Sequence, residues 1–443
     1  MSRVPRLAVG TFQPGADPQV LLWALMDALR RWGLHVQRFF SQACFAGQPP
    51  AASVSGIAVR HLDSWLMAPD VCREVFLRGA DAADLSIIEG HFGARGSFGG
   101  RLDPLCEWLD LPRLAVVDVG QLAQCKLPAL LQAADALLLD NVPEGQSLRW
   151  GTEFESLWRR PVLAVLESAP KPRRQLQRQL EQGRVAREAI CDLSDRISKH
   201  WRPELLLELA AQRDWSDRQR SCCCRAARRR LTVAIAYDEA FHRYFPDTLD
   251  ALEQLGASVV DFSPLRDECL PSGADVVYLG CGEPEHHAAT LSENHCLAAA
   301  LRSHLRAGRR IYAEGGGAAY LCRQMESSDG ELRRMAGIFP VTARYATGTS
   351  RASMPHEATL ASTTWLGTKG LRLRGYRNPL WRFEGLESLP DLADDPQGRE
   401  LVVGNFQAVG SLLHLNFSAQ PRLLDRFFVR DAREPQPLPH SAQ

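Results

Sequence analysis

The sequence predicts an α/β protein that contains two doubly wound domains. Short, nearly continuous apolar runs alternate with helix-like stretches over residues 1–171, and the same alternation begins again at residue 231. Apolar runs of this kind are typical of parallel strands that are buried on both faces by the helices between them. The length of 443 residues also suits two or three domains.

The first domain, residues 1–171, begins with a strand and a helix. The segment 18–34 has apolar residues at helical spacing and ends near Gly33. In a doubly wound sheet, ligands bind at the carboxyl ends of the strands. The apolar runs that predict strands are 6–12, 35–40, 85–90, 113–120, 136–142 and 161–167.

Residues 172–230 differ in composition, because they are helical in pattern and highly charged. We interpret them as a helical connector followed by an exposed basic linker that contains Cys222, Cys223 and Cys224. A zinc site is one interpretation of the triplet, but three adjacent thiolates cannot all reach one tetrahedral ion and no partner C-x-x-C lies nearby. Surface thiols are the simpler interpretation.

The second domain, residues 231–433, repeats the alternation of strands and helices. Ser292 is the predicted N-cap of one of its helices, and the proline-rich segment 434–443 is predicted to be a disordered tail. Strands are predicted at 231–238, 257–265, 274–282, 309–315, 401–407 and 410–417, and helices at 244–256, 291–308, 318–325 and 420–430.

One junction in the second domain is unusual. The strand 309–315 stops at three consecutive glycines, 315–317, and a helical pattern follows. A sharp turn between a strand and a helix is where α/β enzymes often carry a nucleophile, because the turn projects one side chain above the sheet. At this junction the projecting residue is Gly315, so the turn carries no side chain.

Composition excludes several classes of function. Lys plus Arg and Asp plus Glu both number 52, so the net charge is zero and gives no global reason to expect nucleic acid or an anionic membrane as a partner. No apolar run approaches the roughly 20 residues that a membrane helix needs. Twelve scattered cysteines fit reduced thiols better than a disulfide framework. We therefore expect a cytoplasmic protein with no nucleic-acid or membrane partner.

The second half resembles the glutamine amidotransferase domain of the cobyrinic acid a,c-diamide synthase family, a domain of the class I glutamine-amidotransferase type. The order and spacing of four segments carry the resemblance. They are "VAIAYDEAFHRYFPDTLDALEQLGASVVDFSPLRDECLP" (233–271), "YLGCGEPEHHAATLSEN" (278–294), "IYAEGGGAAYL" (311–321) and "GSLLHLNF" (410–417).

The first half is similar to the ATP-dependent synthetase domain of the same family, which is P-loop-NTPase-like and dethiobiotin-synthetase-like. The matching segments are 6–39, 62–67, 83–93 and 111–120. The resemblance implies hydrolysis of glutamine, activation of a carboxylate by ATP and Mg²⁺, and amidation of the a and c acetates of a corrin-precursor tetrapyrrole. It also implies the possibility of a homodimer.

The phosphate loop implied by this resemblance is degenerate in "GTFQPGADPQ" (10–19). Such a loop needs a lysine to neutralise phosphate and a hydroxyl to hold Mg²⁺. Here the lysine position is Asp17, which repels phosphate, and the next position is Pro18, which has neither a hydroxyl nor a backbone N–H. The residues that correspond to the phosphate-binding loop of the family are Gly10, Thr11, Gly15, Asp17 and Pro18.

Three further positions of the first domain lie at predicted strand ends. Glu89 matches a metal or substrate position of the family, but Arg95 and glycines follow where the family has an aspartate. A flexible glycine-rich loop is the alternative interpretation of this segment. Asp118 and Asn141 either contact a nucleotide or cap turns.

In the second domain the resemblance implies a cysteine nucleophile at the position of Gly315 and a catalytic base at His414. It also implies an oxyanion strand that contains Gly280, Cys281 and Gly282. Because glycine cannot attack carbon, the family's glutaminase chemistry is predicted to be lost at this position. A substitute thiol would have to come from Cys281, on the neighbouring strand, or from Cys322, which we expect to lie too far along the helix.

These changes leave three hypotheses open. The first is a non-catalytic homologue with a binding or accessory role, either binding a tetrapyrrole or pairing with an active synthase subunit, for which the ATP and Mg²⁺ that the resemblance implies are not expected. The second is an active amide synthase that uses free ammonia or a relocated nucleophile. The third is an unrelated enzyme that reuses His414 and Glu314. The segment 373–381 also departs from the family, with Tyr376, Arg377 and Asn378 in place of its histidine and glutamate.

Overall fold

The chain forms two compact units, residues 1–224 and 225–443. No helix in the described part of the chain is both long enough and apolar enough to cross a membrane. The computed structural model describes residues 4–13, 16–41, 58–93, 101–122, 133–181, 187–213, 230–346, 354–385, 393–394 and 401–429.

The first unit is built on a parallel sheet of seven strands in the order β3-β2-β4-β1-β5-β6-β7. Its central strands are buried along most of their length, as the continuous apolar runs predicted. The strands are β1 (Arg6–Thr11), β2 (Val36–Phe40), β3 (Arg60–His61), β4 (Leu85–His91), β5 (Arg113–Asp118), β6 (Ala136–Val142) and β7 (Val162–Glu167).

Helices cover this sheet and fill its core. The first helix buries nine of its residues, from Leu21 to Leu29, because it is apolar on nearly every face. The helices are α1 (Gln19–Arg31), α2 (Pro69–Ala80), α3 (Leu102–Trp108), α4 (Ser147–Trp158), α5 (Pro170–Glu181), α6 (Arg187–Ile197) and α7 (Pro203–Ala210).

Helices α5 to α7 differ from the predicted connector over 172–230. Leu176, Leu193, Ile197 and Leu206 are buried in the same apolar cluster as α1 and the sheet. The charged residues that suggested a connector therefore form only the outer face of amphipathic helices, whose inner face belongs to the first unit. The basic segment with Cys222–Cys224 lies outside the described residues, so the prediction for it stays a prediction.

The second unit is built on a six-stranded sheet in the order β10-β8-β11-β13-β22-β21. Five of these strands are parallel and β21 is an antiparallel edge strand. They are β8 (Leu231–Ala236), β10 (Ala257–Phe262), β11 (Val276–Leu279), β13 (Arg310–Glu314), β21 (Val402–Gly404) and β22 (Ala408–Ser411). The prediction of two doubly wound α/β units is confirmed.

Three smaller sheets complete the second unit, with the strand orders β12-β9, β15-β14-β16-β19 and β20-β17-β18-β23. Their strands are β9 (Phe241–Arg243), β12 (Cys281–Gly282), β14 (Cys322–Glu326), β15 (Leu332–Arg334), β16 (Phe339–Tyr345), β17 (Met354–Leu360), β18 (Arg372–Arg377), β19 (Trp381–Glu384), β20 (Ala393–Asp394) and β23 (Leu413–His414). The helices are α8 (Pro246–Gln254), α9 (Ala288–Glu293), α10 (His295–Arg306), α11 (Gly316–Leu321) and α12 (Pro421–Arg426).

Two helix predictions in this unit were wrong in detail. The predicted helix 291–308 is two helices, and its N-cap is Asn294, whose side chain accepts from Leu297 N at 3.1 Å, rather than Ser292. The predicted helix 318–325 ends at Leu321, and the chain continues as strand β14 beside β16. The pattern of apolar residues after the glycines therefore did not predict the residue at which the helix ends.

A buried histidine makes the second unit sensitive to acid. Burial lowers the pKa of His304 to about 4, and its neutral ring donates from Nε2 to the carbonyl oxygen of Arg310 at 3.1 Å. A group whose pKa is lower in the folded state contributes stability that is present above its unfolded pKa of 6.5 and is lost as the pH falls toward 4.

We therefore expect the native chain to lose about 2 kcal/mol more unfolding free energy than a His304→Gln variant between pH 8 and pH 5. Glutamine retains the hydrogen bond to Arg310 and cannot be protonated in this range. Chemical denaturation of both proteins at the two pH values measures the difference. Equal losses in the two proteins would contradict the assignment.

Candidate functional site

The carboxyl edge of the first sheet holds the positions that the resemblance assigned to a nucleotide. Asp17 lies before α1, and its Oδ1 accepts a hydrogen bond from the backbone N–H of Gln19 at 2.9 Å. The carboxylate thus caps the helix end where a phosphate would need free N–H donors. Pro18 offers no N–H, Gly10 and Thr11 are buried in β1, and Gly15 lies outside the described residues.

Glu89, at the end of β4, is bound by a buried arginine. Arg38 Nε lies 2.8 Å from Glu89 Oε2, and Arg38 Nη2 lies 2.5 Å from Oε1. Burial raises the pKa of Glu89, Arg38 lowers it, and Asp17 raises it again. Both carboxylate oxygens are engaged in this bidentate pair, so a metal ion would have to displace the guanidinium to reach them.

Asp118 and Asn141 are held by internal contacts. Asn141 Nδ2 donates to Asp118 Oδ2 at 3.1 Å, and the side chain of Gln13 bonds the backbone N–H and carbonyl of Asp118 at 2.7 and 3.1 Å. Arg173 pairs with Asp140 beside them. Asp17 and the arginine-bound Glu89 do not fit the phosphates and Mg²⁺ of ATP, whereas Asp118 Oδ1 is buried without a hydrogen-bond partner among the described residues.

The strand–turn–helix junction of the second unit keeps a strained backbone. Gly315 follows β13 with φ +50° and ψ −114°, a conformation that side chains disfavour and glycine tolerates. Its N–H donates to Ser411 O at 2.8 Å, and its carbonyl accepts from Ala319 N at 3.0 Å. The turn is therefore fixed by β22 on one side and by α11 on the other.

The space above Gly315 is filled by neighbouring side chains. A Cβ placed on Gly315 would lie 2.7 Å from Asn378 Nδ2, 3.0 Å from Cys281 Sγ and 3.2 Å from His414 Cε1. These three residues come from β12, from β23 and from the end of β18. The missing side chain thus points at the thiol and the imidazole that meet there.

Cys281, His414 and Glu314 form a buried cluster at this point. Cys281 Sγ lies 2.6 Å from His414 Nδ1 and 3.5 Å from Nε2. Glu314 Oε2 lies 3.2 Å from Nδ1 and so orients the ring, while Tyr278 donates its hydroxyl to Oε1. The exposed fractions of the three residues are 3%, 1% and 2%.

The surroundings of Cys281 keep its thiol protonated. Burial raises the pKa of Cys281 well above its usual value, and the carboxylate of Glu314 raises it further. Arg243 and a hydrogen bond from the Gly316 N–H lower it. The site is therefore a neutral thiol beside a base rather than a preformed thiolate.

The same three groups could also be considered as metal ligands, because their ligand atoms lie within 4.8 Å of one another. A tetrahedral zinc ion would separate sulfur and nitrogen ligands by about 3.6 Å, given its bond lengths. The observed separation of 2.6 Å between Sγ and Nδ1 is shorter by about 1 Å. The geometry fits a hydrogen-bonded thiol–imidazole pair better.

Two residues of the predicted oxyanion strand have structural contacts. The N–H of Gly280 donates to the Tyr244 hydroxyl at 2.9 Å and is not directed at the cluster. A Cβ on Gly282 would collide with the backbone of Ala240 and Phe241 in β9, so close strand packing accounts for that glycine. The N–H of Gly280 is therefore already engaged by Tyr244, and the prediction of an oxyanion strand over Gly280, Cys281 and Gly282 stays a prediction.

Sequence reasoning named the members of the cluster but not their contact. Glu314 was considered only as a reused residue, and Asn378 only as a departure from the family. Cys322, the other candidate thiol, is buried and donates to Ala318 O at 3.3 Å in its own helix, away from the cluster. The signal that could have found the pair is the adjacency of β11 and β13, which brings the turns after both strands together.

The close fit around Gly315 predicts a large effect of a single methyl group. Gly315→Ala should cost about 1–3 kcal/mol in backbone strain, plus the clash with Cys281 and Asn378. Gly330→Ala is the matched control, since its φ is +84° but no atom lies within 4 Å of its Cβ. We expect that control to cost about 1–2 kcal/mol.

A double-mutant cycle separates the clash from the strain. In a Cys281→Ala background, Gly315→Ala should cost less, by about 0.5 kcal/mol or more, because the sulfur no longer fills the space. Urea denaturation of the four proteins measures the coupling. Strictly additive effects would show that the thiol does not occupy the space above Gly315.

Comparison with known proteins agrees with this geometry. The CobB/CobQ-like glutamine amidotransferase domain matches residues 232–378. The cobyrinate a,c-diamide synthase of Syntrophotalea carbinolica is 29% identical over 391 residues, which cover 84% of this chain and 85% of that protein. The cobyrinate a,c-diamide synthase of Salmonella typhimurium is 26% identical, with 95% of this chain and 96% of that protein covered.

A third relative is the hydrogenobyrinate a,c-diamide synthase of Pseudomonas aeruginosa. It is 29% identical over 375 residues, which cover 77% of this chain and 80% of that protein. The matches with all three relatives extend over both units. The chain is therefore similar to cobyrinate a,c-diamide synthases over most of its length, and residues 232–378 match the CobB/CobQ-like glutamine amidotransferase domain.

Proposed function

We propose that this chain is a member of the family that has given up ATP-dependent amidation and retains a binding role toward tetrapyrrole carboxylates. The observation that carries the proposal is the carboxyl edge of the first sheet. Asp17 caps the helix end that a phosphate would need, and Arg38 binds both oxygens of Glu89. The Asp17 carboxylate thus takes the place of a phosphate at the helix end, and the Arg38 guanidinium takes the place of a metal ion at Glu89.

Electrostatics supports the same conclusion. A phosphate at the start of α1 would meet the carboxylate of Asp17 in the position where the family has a lysine. Asp17 is exposed, so water screens this repulsion, but its sign opposes phosphate at a position where a lysine would attract it. The ligand that the relatives' names specify is cobyrinate or hydrogenobyrinate, and the proposed binding role is directed to this class of ligand.

The second unit lacks the family's nucleophile at the position of Gly315. Delivery of ammonia from glutamine by that residue is therefore not part of the proposed function. The alternative is an active synthase that uses free ammonia. The observation that favours this alternative is the intact fold around the carboxyl edges of the two main sheets, where substrates of α/β enzymes bind. This alternative differs from the binding role because an active synthase requires ATP.

Calorimetry with ATP and Mg²⁺ tests the nucleotide half of the proposal. We expect no binding to the native chain up to millimolar ATP. An Asp17→Lys/Pro18→Thr variant should gain measurable affinity, because the lysine supplies the missing charge and the threonine the missing hydroxyl. Asp17→Asn is the matched control, which removes the repulsion but adds no cation. A micromolar affinity of the native chain would refute the proposal.

A titration with cobyrinic acid, followed by absorbance, tests the binding half. We expect a saturable change in the tetrapyrrole spectrum, with the same amplitude in the presence and absence of ATP and ammonia. A flat spectrum would remove the binding role. Formation of an amide from cobyrinic acid, ATP and ammonia, detected by mass spectrometry, would establish the alternative.

A further inference from the structure

A thiol and a base meet in the second unit although the turn itself carries no nucleophile. The sulfur of Cys281 lies 3.0 Å from the point where a side chain on Gly315 would begin, and within 2.6 Å of His414. The turn β13–α11 retains its strained backbone at Gly315. The thiol of Cys281 therefore lies where a side chain on Gly315 would lie, although Cys281 belongs to the neighbouring strand end.

We propose that Cys281, His414 and Glu314 form a relocated hydrolytic triad that cleaves a small primary carboxamide such as the side chain of glutamine. A nucleophile within reach of a base, with the base oriented by a third group, is the geometric signature of covalent catalysis. The three residues satisfy each part of it at 2.6–3.5 Å. This activity does not depend on ATP and so is separate from the proposed binding role.

The hydrogen-bond geometry assigns the roles. Nδ1 of His414 lies 2.6 Å from Cys281 Sγ and 3.2 Å from Glu314 Oε2, so Nδ1 faces both groups and the neutral ring carries its proton on Nε2. Nδ1 is then the acceptor of the thiol proton, and the Glu314 carboxylate stabilises the ring once Nδ1 is protonated. Glu314 is a positioning residue, fixed in turn by the Tyr278 hydroxyl.

The reaction balances without a further reagent. His414 Nδ1 takes the thiol proton as the sulfur bonds to the amide carbon, and the carbonyl oxygen becomes an oxyanion. The carbon–nitrogen bond then breaks, the ring returns the proton to nitrogen, and ammonia leaves a thioester on Cys281. Water attacks the thioester, gives its proton through His414 to the sulfur, and releases the carboxylic acid with the thiol restored.

Two features limit the substrate. Burial of the cluster excludes bulky acyl groups, so a slender aliphatic amide fits best. The N–H of Gly316 already hydrogen-bonds the sulfur, which places it beside the oxygen of any carbonyl carbon bonded there. Because the resting thiol is neutral, its proton must pass to His414 as the sulfur attacks.

Ammonia release from L-glutamine by the full chain tests the proposal. We expect hydrolysis by the native protein and a fall of at least about a thousandfold in Cys281→Ala, as for removal of a triad nucleophile. Cys322→Ala is the matched control, because Cys322 is an equally buried thiol that does not touch His414. It should keep the native rate. Thermal unfolding of each variant confirms that it is folded.

The chloroketone analogue of glutamine gives a second readout. It should alkylate Cys281 in the native protein, with displacement of chloride, and mass spectrometry of the peptides locates the label. Glu314→Gln should lower the rate of labelling and shift its pH profile, since the ring loses the charge that orients it. Absence of both hydrolysis and labelling, labelling at another cysteine, or hydrolysis that survives Cys281→Ala would each overturn the proposal.

Discussion

The absence of a side chain at Gly315 is the constraint on which the site of the second unit depends. Its φ of +50° and the atoms packed within 3.2 Å of a hypothetical Cβ leave glycine as the residue that fits. Because nothing projects from the turn, the sulfur of Cys281 approaches His414 directly. A cysteine at both positions would place two sulfurs in space that holds one.

In the first unit, side chains of the protein likewise occupy positions that the family resemblance assigned to a ligand. A doubly wound sheet gathers polar side chains at its carboxyl edge whether or not a ligand binds there. In this chain several of those side chains bond within the protein: Asp17 accepts from the N–H of Gln19, Arg38 neutralises Glu89, and Asn141 bonds Asp118 Oδ2. A buried carboxylate without such a partner would be costly, and Arg38 supplies that partner for Glu89.

The sequence predicted the parallel strands well because each is a continuous apolar run with no competing pattern. It failed where tertiary contacts decide. Residues 322–326 continue an apolar helical pattern but form β14, since pairing with β16 outweighs local propensity. The helices after residue 170 looked like a connector because their charges dominate the composition, although Leu193 and Leu206 face the core.

The candidate site was predictable residue by residue but not as a geometry. Motif matching assigned Cys281 to an oxyanion strand, where its backbone was the relevant feature, and the contact of its side chain with His414 depends on the register of β11 and β13. That contact changes the meaning of the empty turn. Ammonia released by Cys281 would find no acyl phosphate, because the first unit does not fit ATP. Hydrolysis at this cluster would therefore be an end in itself, separated from the amidation that such chemistry serves in an ATP-dependent synthase.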